Sequence, residues 1–478
     1  MKVSRRVVVW FRQDLRLHDN EALNEAIKRG DEIVPIFVFD ERQFLDKTEF
    51  GFPKTGKFRA KFILESVADL RNSFQEKGID LIVKVGKPEE IVPKLADDIN
   101  AAWVFCNIER TKDEILVQDE LEKRLWAIGR ELYYYRGKML YYTQDLPFPV
   151  SHTPDVFTAF RKEVEKFVPI RDLLPTPDTF KYWTFQYDKG EIPTLEDLGH
   201  EEFEVDKRAV LDFKGGETAA LERLKYYLWD TDLIKNYKET RNGLIGGEYS
   251  SKFSPWLAQG CLSPKMIYHE VKKYESERKK NKSTYWMIFE VLWRDFFRLT
   301  AKKHGEKIFQ KGGPKGEVNP NWIENEKIFD LWANGETGVP FIDANMKELN
   351  LTGFMSNRGR QNVASFLIND LRINWQMGAE YFESVLIDYD PASNYGNWNY
   401  IAGVGSDPRE DRYFNILSQA KNYDPNGDYV KLWLPKLQNI SADKIHRPDK
   451  LSFAEQTEVK VKIGGNYPRA MVNIRRWA

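Results

Sequence analysis

The sequence predicts an α/β N-terminal domain, a doubly wound parallel sheet of Rossmann-like type, joined to an all-α C-terminal domain. Three observations carry this. The first third alternates short apolar runs with helix-patterned stretches, a rhythm that calls for a parallel sheet covered on both faces. From about residue 206 to 440 the runs vanish and helical periodicity dominates. The length of 478 residues exceeds one ordinary core, so two or three domains are expected.

In chain order, the strand candidates of the first domain (residues 1–135) are VVVWF (7–11), EIVPIFVF (32–39), DLIVKVG (80–86), AAWVFCN (101–107) and ELYYYRG (131–137). Helices are expected between them, as in KFRAKFILESVADLRNSFQEKG (57–78) and ILVQDELEKRLWAIG (115–129). No GxGxxG follows the first strand, so the usual dinucleotide fingerprint is missing. Residues 136–205 scatter Pro147, Pro149, Pro154, Pro169, Pro175, Pro177 and Pro193 through mixed sequence, which reads as a connector draped over the surface with one short helix near 155–167. Residues 206–440 carry ETAALERLKYYL, SPKMIYHEVKKYE and TYWMIFEVLWRDFFRLTAKKHG, and 441–478 reads as a short polar tail.

Composition excludes several classes. Lys and Arg number 72 against 73 Asp and Glu, so any nucleic-acid affinity must come from a local patch. Cys106 and Cys261 are the only cysteines and have no CxxC or Cys/His cluster, which argues against a disulfide framework or structural zinc and suits a reducing cytoplasm. None of the six histidines stands beside another His or a Cys at ligand spacing, so no metal site is expected. No signal-peptide core and no 18-residue apolar stretch is present.

Four segments could carry chemistry. In YSSKFSPWLAQGCLSPK (249–265), Ser250, Ser251 and Ser254 with Lys252 precede a helix start at Pro255 and make an anion seat, although one such serine alone would read as a helix cap. Ser263 before Pro264 reads as only a cap. In FEVLWRDFFR (289–298), Glu290, Trp293 and Phe297 share a helical face with Arg294 and Arg298 on its edge, able to read a base by stacking and hydrogen bonding, although taken alone the segment reads first as an ordinary amphipathic helix with Trp293 in the core and Glu290 paired to an arginine. In GFMSNRGRQNVASFLINDLRINWQ (353–376), Ser356 is a cap and Asn357, Arg360 and Gln361 share a face. An unbroken helix from there would put Trp375 about 27 Å along the axis from Asn357, outside the same pocket wall. In DYDPASNYGNWNY (388–400), Asp390 before Pro391 starts a helix, Asn394 and Trp398 share one face, and Asp388 is expected to pair with Arg360.

Together these segments resemble the cryptochrome/photolyase family, and most closely its DASH-type cryptochromes, from VVVWFRQDLRLHDN near the start to NYDPNGDYVKLWLPKL at 422–437. The resemblance implies the photolyase fold, with a U-shaped FAD in the helical domain and a 5,10-methenyltetrahydrofolate antenna held by the α/β domain through Glu109. It assigns Ser250, Ser251 and Ser254 to the FAD diphosphate, the Arg360–Asp388 pair to the isoalloxazine, Asp390 to its edge and Asn394 to flavin N5. Trp398, Trp375 and Trp322 match the family's electron-transfer chain. Glu290, Trp293 and Asn357 match the substrate cavity, while Arg294, Arg358 and one of Arg241 and Arg412 would hold phosphates in a salt-sensitive patch. Gln361 and Tyr400 replace the methionine and tryptophan of duplex-specific photolyases. The implied activity is light-driven repair of cyclobutane pyrimidine dimers in single-stranded DNA by a cytoplasmic monomer, with a blue-light photoreceptor or a DNA- or RNA-binding regulator as the alternative.

Overall fold

The computed structural model describes residues 4–406 and 413–477. Its sheet has five strands, β1 (Arg6–Phe11), β2 (Glu32–Phe39), β3 (Ile82–Val85), β4 (Trp103–Asn107) and β5 (Glu131–Tyr135), in the order β3-β2-β1-β4-β5. Every pairing is parallel, with Val8 opposite Val34 on one side and Val104 on the other. The near-continuous apolar runs are explained by burial on both faces. Val7, Val9 and Phe11 pack with Leu23 and Ala26 of α1 (Glu21–Arg29) and Phe62 and Val67 of α2 (Lys57–Glu76). Val8 and Trp10 face the other way, onto Val92 and Ala96 of α3 (Pro88–Asp98) and Leu121 and Leu125 of α4 (Lys112–Ala127). Strand order reverses between β1 and β4, so a crevice opens beyond their carboxyl ends, the usual ligand position in such sheets.

The connector holds the expected short helix, α5 (Phe157–Phe167), and then returns along the sheet. Trp183 Nε1 donates to the Ile33 carbonyl at 2.7 Å, and the Val83 amide donates to the Lys189 carbonyl at 2.8 Å, which covers the outer edge of β3.

The helices that matter for the site are α6 (Lys282–His304), α7 (Pro340–Thr352), α8 (Asn357–Ser365), α9 (Trp375–Val385) and α10 (Pro391–Ala402). One condition left open by the sequence is resolved and one expectation is corrected. The helix begun at Asn357 does not run on to Trp375: it widens into a π-type turn over Phe366–Asp370, Arg372 takes a left-handed φ of 59°, and Trp375 opens α9 under an Asn374 cap. The expected polar tail is also part of the helical body. Ile445, Leu451, Val461 and Trp477 join its core, and the Tyr467 hydroxyl donates to Asp343 at 2.8 Å.

Glu348 on α7 is fully buried, accepts from the Tyr429 hydroxyl at 2.5 Å through one oxygen and has no partner for the other among the described residues. Burial pushes its carboxyl from an ordinary 4.5 up to about 7, against the pull of Tyr429, Lys252 and Arg360. Between those values the unfolded chain has lost a proton that the folded chain keeps, so this residue's contribution falls as pH rises from about 4.5 to 7. Glu348→Gln is therefore expected to stabilise the protein by about 1–3 kcal/mol at pH 8, with the gain shrinking toward pH 5. Thermal melts followed by circular dichroism across that range check it.

Candidate functional site

A cavity of about 320 Å³ lies within the helical domain. Its polar wall is built by local rules. Asp390 Oδ1 caps α10 by accepting from the Ser393 amide at 2.8 Å, with Pro391 at the first helical position. That fixes the helix so that Asn394 and Trp398, one turn apart, both line the cavity. The Asn394 amide nitrogen donates to the Ala379 carbonyl at 3.0 Å, which leaves its oxygen for the cavity. On the opposing wall Ser356 caps α8, accepting from the Gly359 amide at 3.0 Å.

Arg360 of α8 donates Nη1 to Asp388 Oδ1 at 3.0 Å and Nη2 to Oδ2 at 2.9 Å, the two-pronged form of the pair expected from sequence. Its Nε is tied to the Met355 carbonyl at 2.9 Å, so the plane of the guanidinium is fixed.

Ser250, Ser251 and Ser254 line the same cavity, and among the described residues no protein group takes up their hydroxyls. They are not caps: Phe253 occupies the cap position of the short helix Ser254–Ala258 and makes no side-chain bond there. Ser263, by contrast, is the expected cap, accepting from Lys265 and Met266 amides at 3.1 and 3.4 Å. Lys252 adopts a φ of 62°, and its buried Nζ has no hydrogen-bond partner among the described residues, lying 2.9 Å from the centroid of the Tyr249 ring. Burial pushes the Lys252 amine well below its ordinary range, and an orphaned amine that an anion would recharge, beside three hydroxyls without protein partners, fits a bound polyanion.

Glu290, Asn357 and Gln361 also line this cavity. Glu290 pairs with Arg241 at 2.7 Å and accepts from Trp286 Nε1 at 3.1 Å; burial pushes its carboxyl above the ordinary range against those two contacts. Trp286 was not singled out from sequence, although its four-residue spacing from Glu290 puts them on one face. Trp293 does not share the cavity. Its ring stacks on Phe157 of α5 with centroids 3.8 Å apart and meets Tyr400 edge-on at 6.2 Å, in a separate small cleft. Three residues along a helix turn the side chain by about 60°, and an aromatic partner from the connector decides which way it packs.

The arginines expected on DNA phosphates divide. Arg294 lines the helical cavity, and its guanidinium is held by the carbonyls of Lys138 at 2.7 Å and Leu257 at 3.1 Å instead of standing free on the surface. Arg358 is half-buried over the Tyr423 ring, 4.6 Å from its centroid, and Arg412 lies outside the described residues. Arg241 stands at the cavity rim through its pair with Glu290.

Trp398 is buried in the cavity wall, hard against α9 at Gly378, where any Cβ would meet its ring at 2.3 Å. Trp375 lies one turn earlier on α9, with its Nε1 donating to the Lys311 carbonyl at 2.9 Å. Trp322 is buried next to Ile323, which bridges to Ile373 just before Trp375. The break in the helix thus brings Trp375 to the start of α9, one turn from the glycine against which Trp398 packs, and the Ile323–Ile373 bridge brings the Trp322 segment alongside.

A second cavity, of about 720 Å³, opens beyond the carboxyl ends of β1, β2 and β4 and is lined by Arg12, Asp40, Glu109, Arg59, Glu383 and Tyr395. Glu109 is buried there and paired with Lys138. Among the described residues no cluster of His, Cys, Asp and Glu could hold a metal, and no helix is long and apolar enough to cross a membrane.

These features can be compared with known proteins. The family described as DNA photolyase matches residues 7–178, and the FAD binding domain of DNA photolyase matches residues 286–477. Cryptochrome DASH of Gloeobacter violaceus is 51% identical over 471 residues, 98% of this chain and 94% of that protein. The chain belongs to the cryptochrome/photolyase family. Within it the likeness is to the DASH branch, since cryptochrome DASH of Synechocystis is also 50% identical over 478 residues, 98% of this chain and 96% of that one. The crystal structure of the Synechocystis cryptochrome superposes with a TM-score of 0.96 at 50% identity, covering 100% of this chain and 98% of that one. A bacterial class III photolyase from Agrobacterium tumefaciens gives 0.86 at 28% identity, covering 100% and 96%. The fold is thus the photolyase fold, and the helical cavity lies largely within the matched FAD-binding domain, with the serine loop contributed from just before it.

Proposed function

We propose that this chain repairs cyclobutane pyrimidine dimers in single-stranded DNA under blue or near-ultraviolet light. The observation that carries the reading is that Glu290, Asn357 and Gln361 share one cavity with the Arg360–Asp388 pair and Asn394. A lesion-reading carboxylate and a flavin cradle are then two walls of one space.

Ser250, Ser251 and Ser254, with Lys252, would hold the FAD diphosphate; Arg360 and Asp388 would flank the ring, and Asp390 its edge. Reduced FAD, when bound, supplies visible absorption and a one-electron donor that no side chain here provides. The free oxygen of Asn394 is an acceptor, which favours an N–H at the position it faces, without the like charge that a carboxylate would bring. Glu290, held by Arg241 and Trp286, orients the dimer by hydrogen bonding. The splitting breaks two carbon–carbon bonds of the cyclobutane with no net gain or loss of electrons. Trp398, Trp375 and Trp322 form a route for re-reducing the cofactor. The second cavity would hold 5,10-methenyltetrahydrofolate against Glu109, which supplies near-ultraviolet absorption.

Gln361 and Tyr400 support the single-strand preference. Gln361 gives the mouth a buried amide oxygen with no partner among the described residues, and Tyr400 packs on Trp293. Neither offers the broad apolar surface that would offset extracting a dimer from a duplex. Illuminated oligonucleotides carrying one thymine dimer, read as restored thymines, test the proposal. Repair of the single strand in light only, and at least tenfold slower repair of the duplex, is expected. A flavin-loaded protein that restores no thymines in either form favours a photoreceptor role instead.

A further inference from the structure

Tyr389 lines both cavities, and beside it one buried side chain links a carboxylate of each. Arg298 of α6 donates Nη2 to Glu109 at 3.0 Å and Nη1 to Asp390 at 2.8 Å. Glu109 lines the second cavity and Asp390 the first, while Arg298 lines neither. Lys138 completes the row on the far side of Glu109, and the Ser393 amide completes it beyond Asp390. Two cations and two carboxylates thus alternate, each side chain only 3–4% exposed.

Arg294 and Asp295 add their fields to Asp390 and Arg298, but neither bonds a member of the row. Arg294 is taken by backbone carbonyls, and Asp295 accepts from the Leu140 and Tyr141 amides at 3.2 and 2.8 Å. One guanidinium is shared between two carboxylates in a low-dielectric interior, so losing the charge of one acceptor leaves more of the cation's field for the other. Burial pushes the carboxyls of Glu109 and Asp390 up, but the cations outweigh it and hold both below the usual range, so both are ionised at neutral pH.

We propose that Arg298 is a positioning residue that couples the two cavities. Whatever reduces the hold of Glu109 on Arg298, whether a ligand in the second cavity or loss of the Glu109 charge, turns the guanidinium further onto Asp390. That makes the edge of the first cavity more positive and raises the reduction potential of the flavin there. By reciprocity, the redox state of the flavin changes the affinity of the second cavity for its ligand. The inference rests on FAD occupying the first cavity, and needs no assumption about what fills the second.

The test is a spectroelectrochemical titration of the full-length FAD protein without folate, comparing the parent, Glu109→Gln, Asp40→Asn and Arg298→Lys, and Glu109→Gln combined with Arg298→Lys. Asp40→Asn removes a carboxylate from the second cavity without touching Arg298. Lysine keeps the charge of Arg298 but lacks the fork that reaches both carboxylates. The expected result is a potential raised by Glu109→Gln, unmoved by Asp40→Asn, and with the Glu109→Gln shift largely lost in the Arg298→Lys background. A Glu109→Gln protein at the parent potential, an equal shift from Asp40→Asn, or an undiminished shift in the Arg298→Lys background overturns the proposal. If Arg298→Lys loses FAD, the first two comparisons still decide. A parent that takes up no FAD removes the flavin reading itself, and this inference with it.

Discussion

Arg360→Met is expected to leave a folded protein that has lost most of its FAD. The Asp388 side chain is only 3% exposed and takes both of its charge-assisted bonds from Arg360. Removing the arginine leaves a buried carboxylate without its partner, and such truncations cost about 2–5 kcal/mol in binding, or about 30-fold and upward in affinity. The Met355 carbonyl loses its donor in the same step. Because Arg360 sits on α8 beside Ser356, whose cap is untouched, the helix itself should survive. Fluorescence titration of the apoprotein with FAD, alongside a circular dichroism melt, separates lost binding from lost fold. An unchanged FAD affinity would mean that the pair is structural only.

Glu290→Ala should have the opposite profile, keeping FAD and losing repair. Its carboxylate reaches the cavity through contacts with Arg241 and Trp286 rather than with the Arg360–Asp388 pair. A hydrogen bond between a charged group and substrate contributes about 1.5–3 kcal/mol, so kcat/KM for dimer splitting should fall about 10- to 150-fold. Glu290→Gln keeps an acceptor and should lose less. Flavin content and the light-driven reduction of the cofactor should match the parent, and a parallel loss of both would place Glu290 in cofactor binding instead.

Features fixed by local rules are legible in the sequence. The sheet announced itself because strands buried on both faces must be apolar at every position, as in Val7 to Phe11. The Asp390 and Ser356 caps follow from residue type and position, and the Arg360–Asp388 pair from the cost of burying either charge alone. What escaped depends on contacts between segments distant in sequence. Trp293 turns away from Glu290 because Phe157, in the connector, stacks on it. Arg294 looks like a rim charge until the carbonyls of Lys138 and Leu257 are brought over it. The break before Trp375 has no Pro or Gly to mark it, only a widened turn and a left-handed arginine. Arg298 reads as an edge residue of its helix, and only the meeting of α6 with the segment after β4 and with the cap of α10 shows that it links two cavities.

Every role proposed for these side chains requires that the helical cavity seat one FAD between Asn394 and Arg360. Reconstituting the full-length protein with FAD, removing free flavin and recording the absorption spectrum tests it most directly. One flavin per chain, with a structured blue band that bleaches on illumination in the presence of an electron donor, is the predicted result. A colourless protein that retains correct circular dichroism after the same treatment contradicts it.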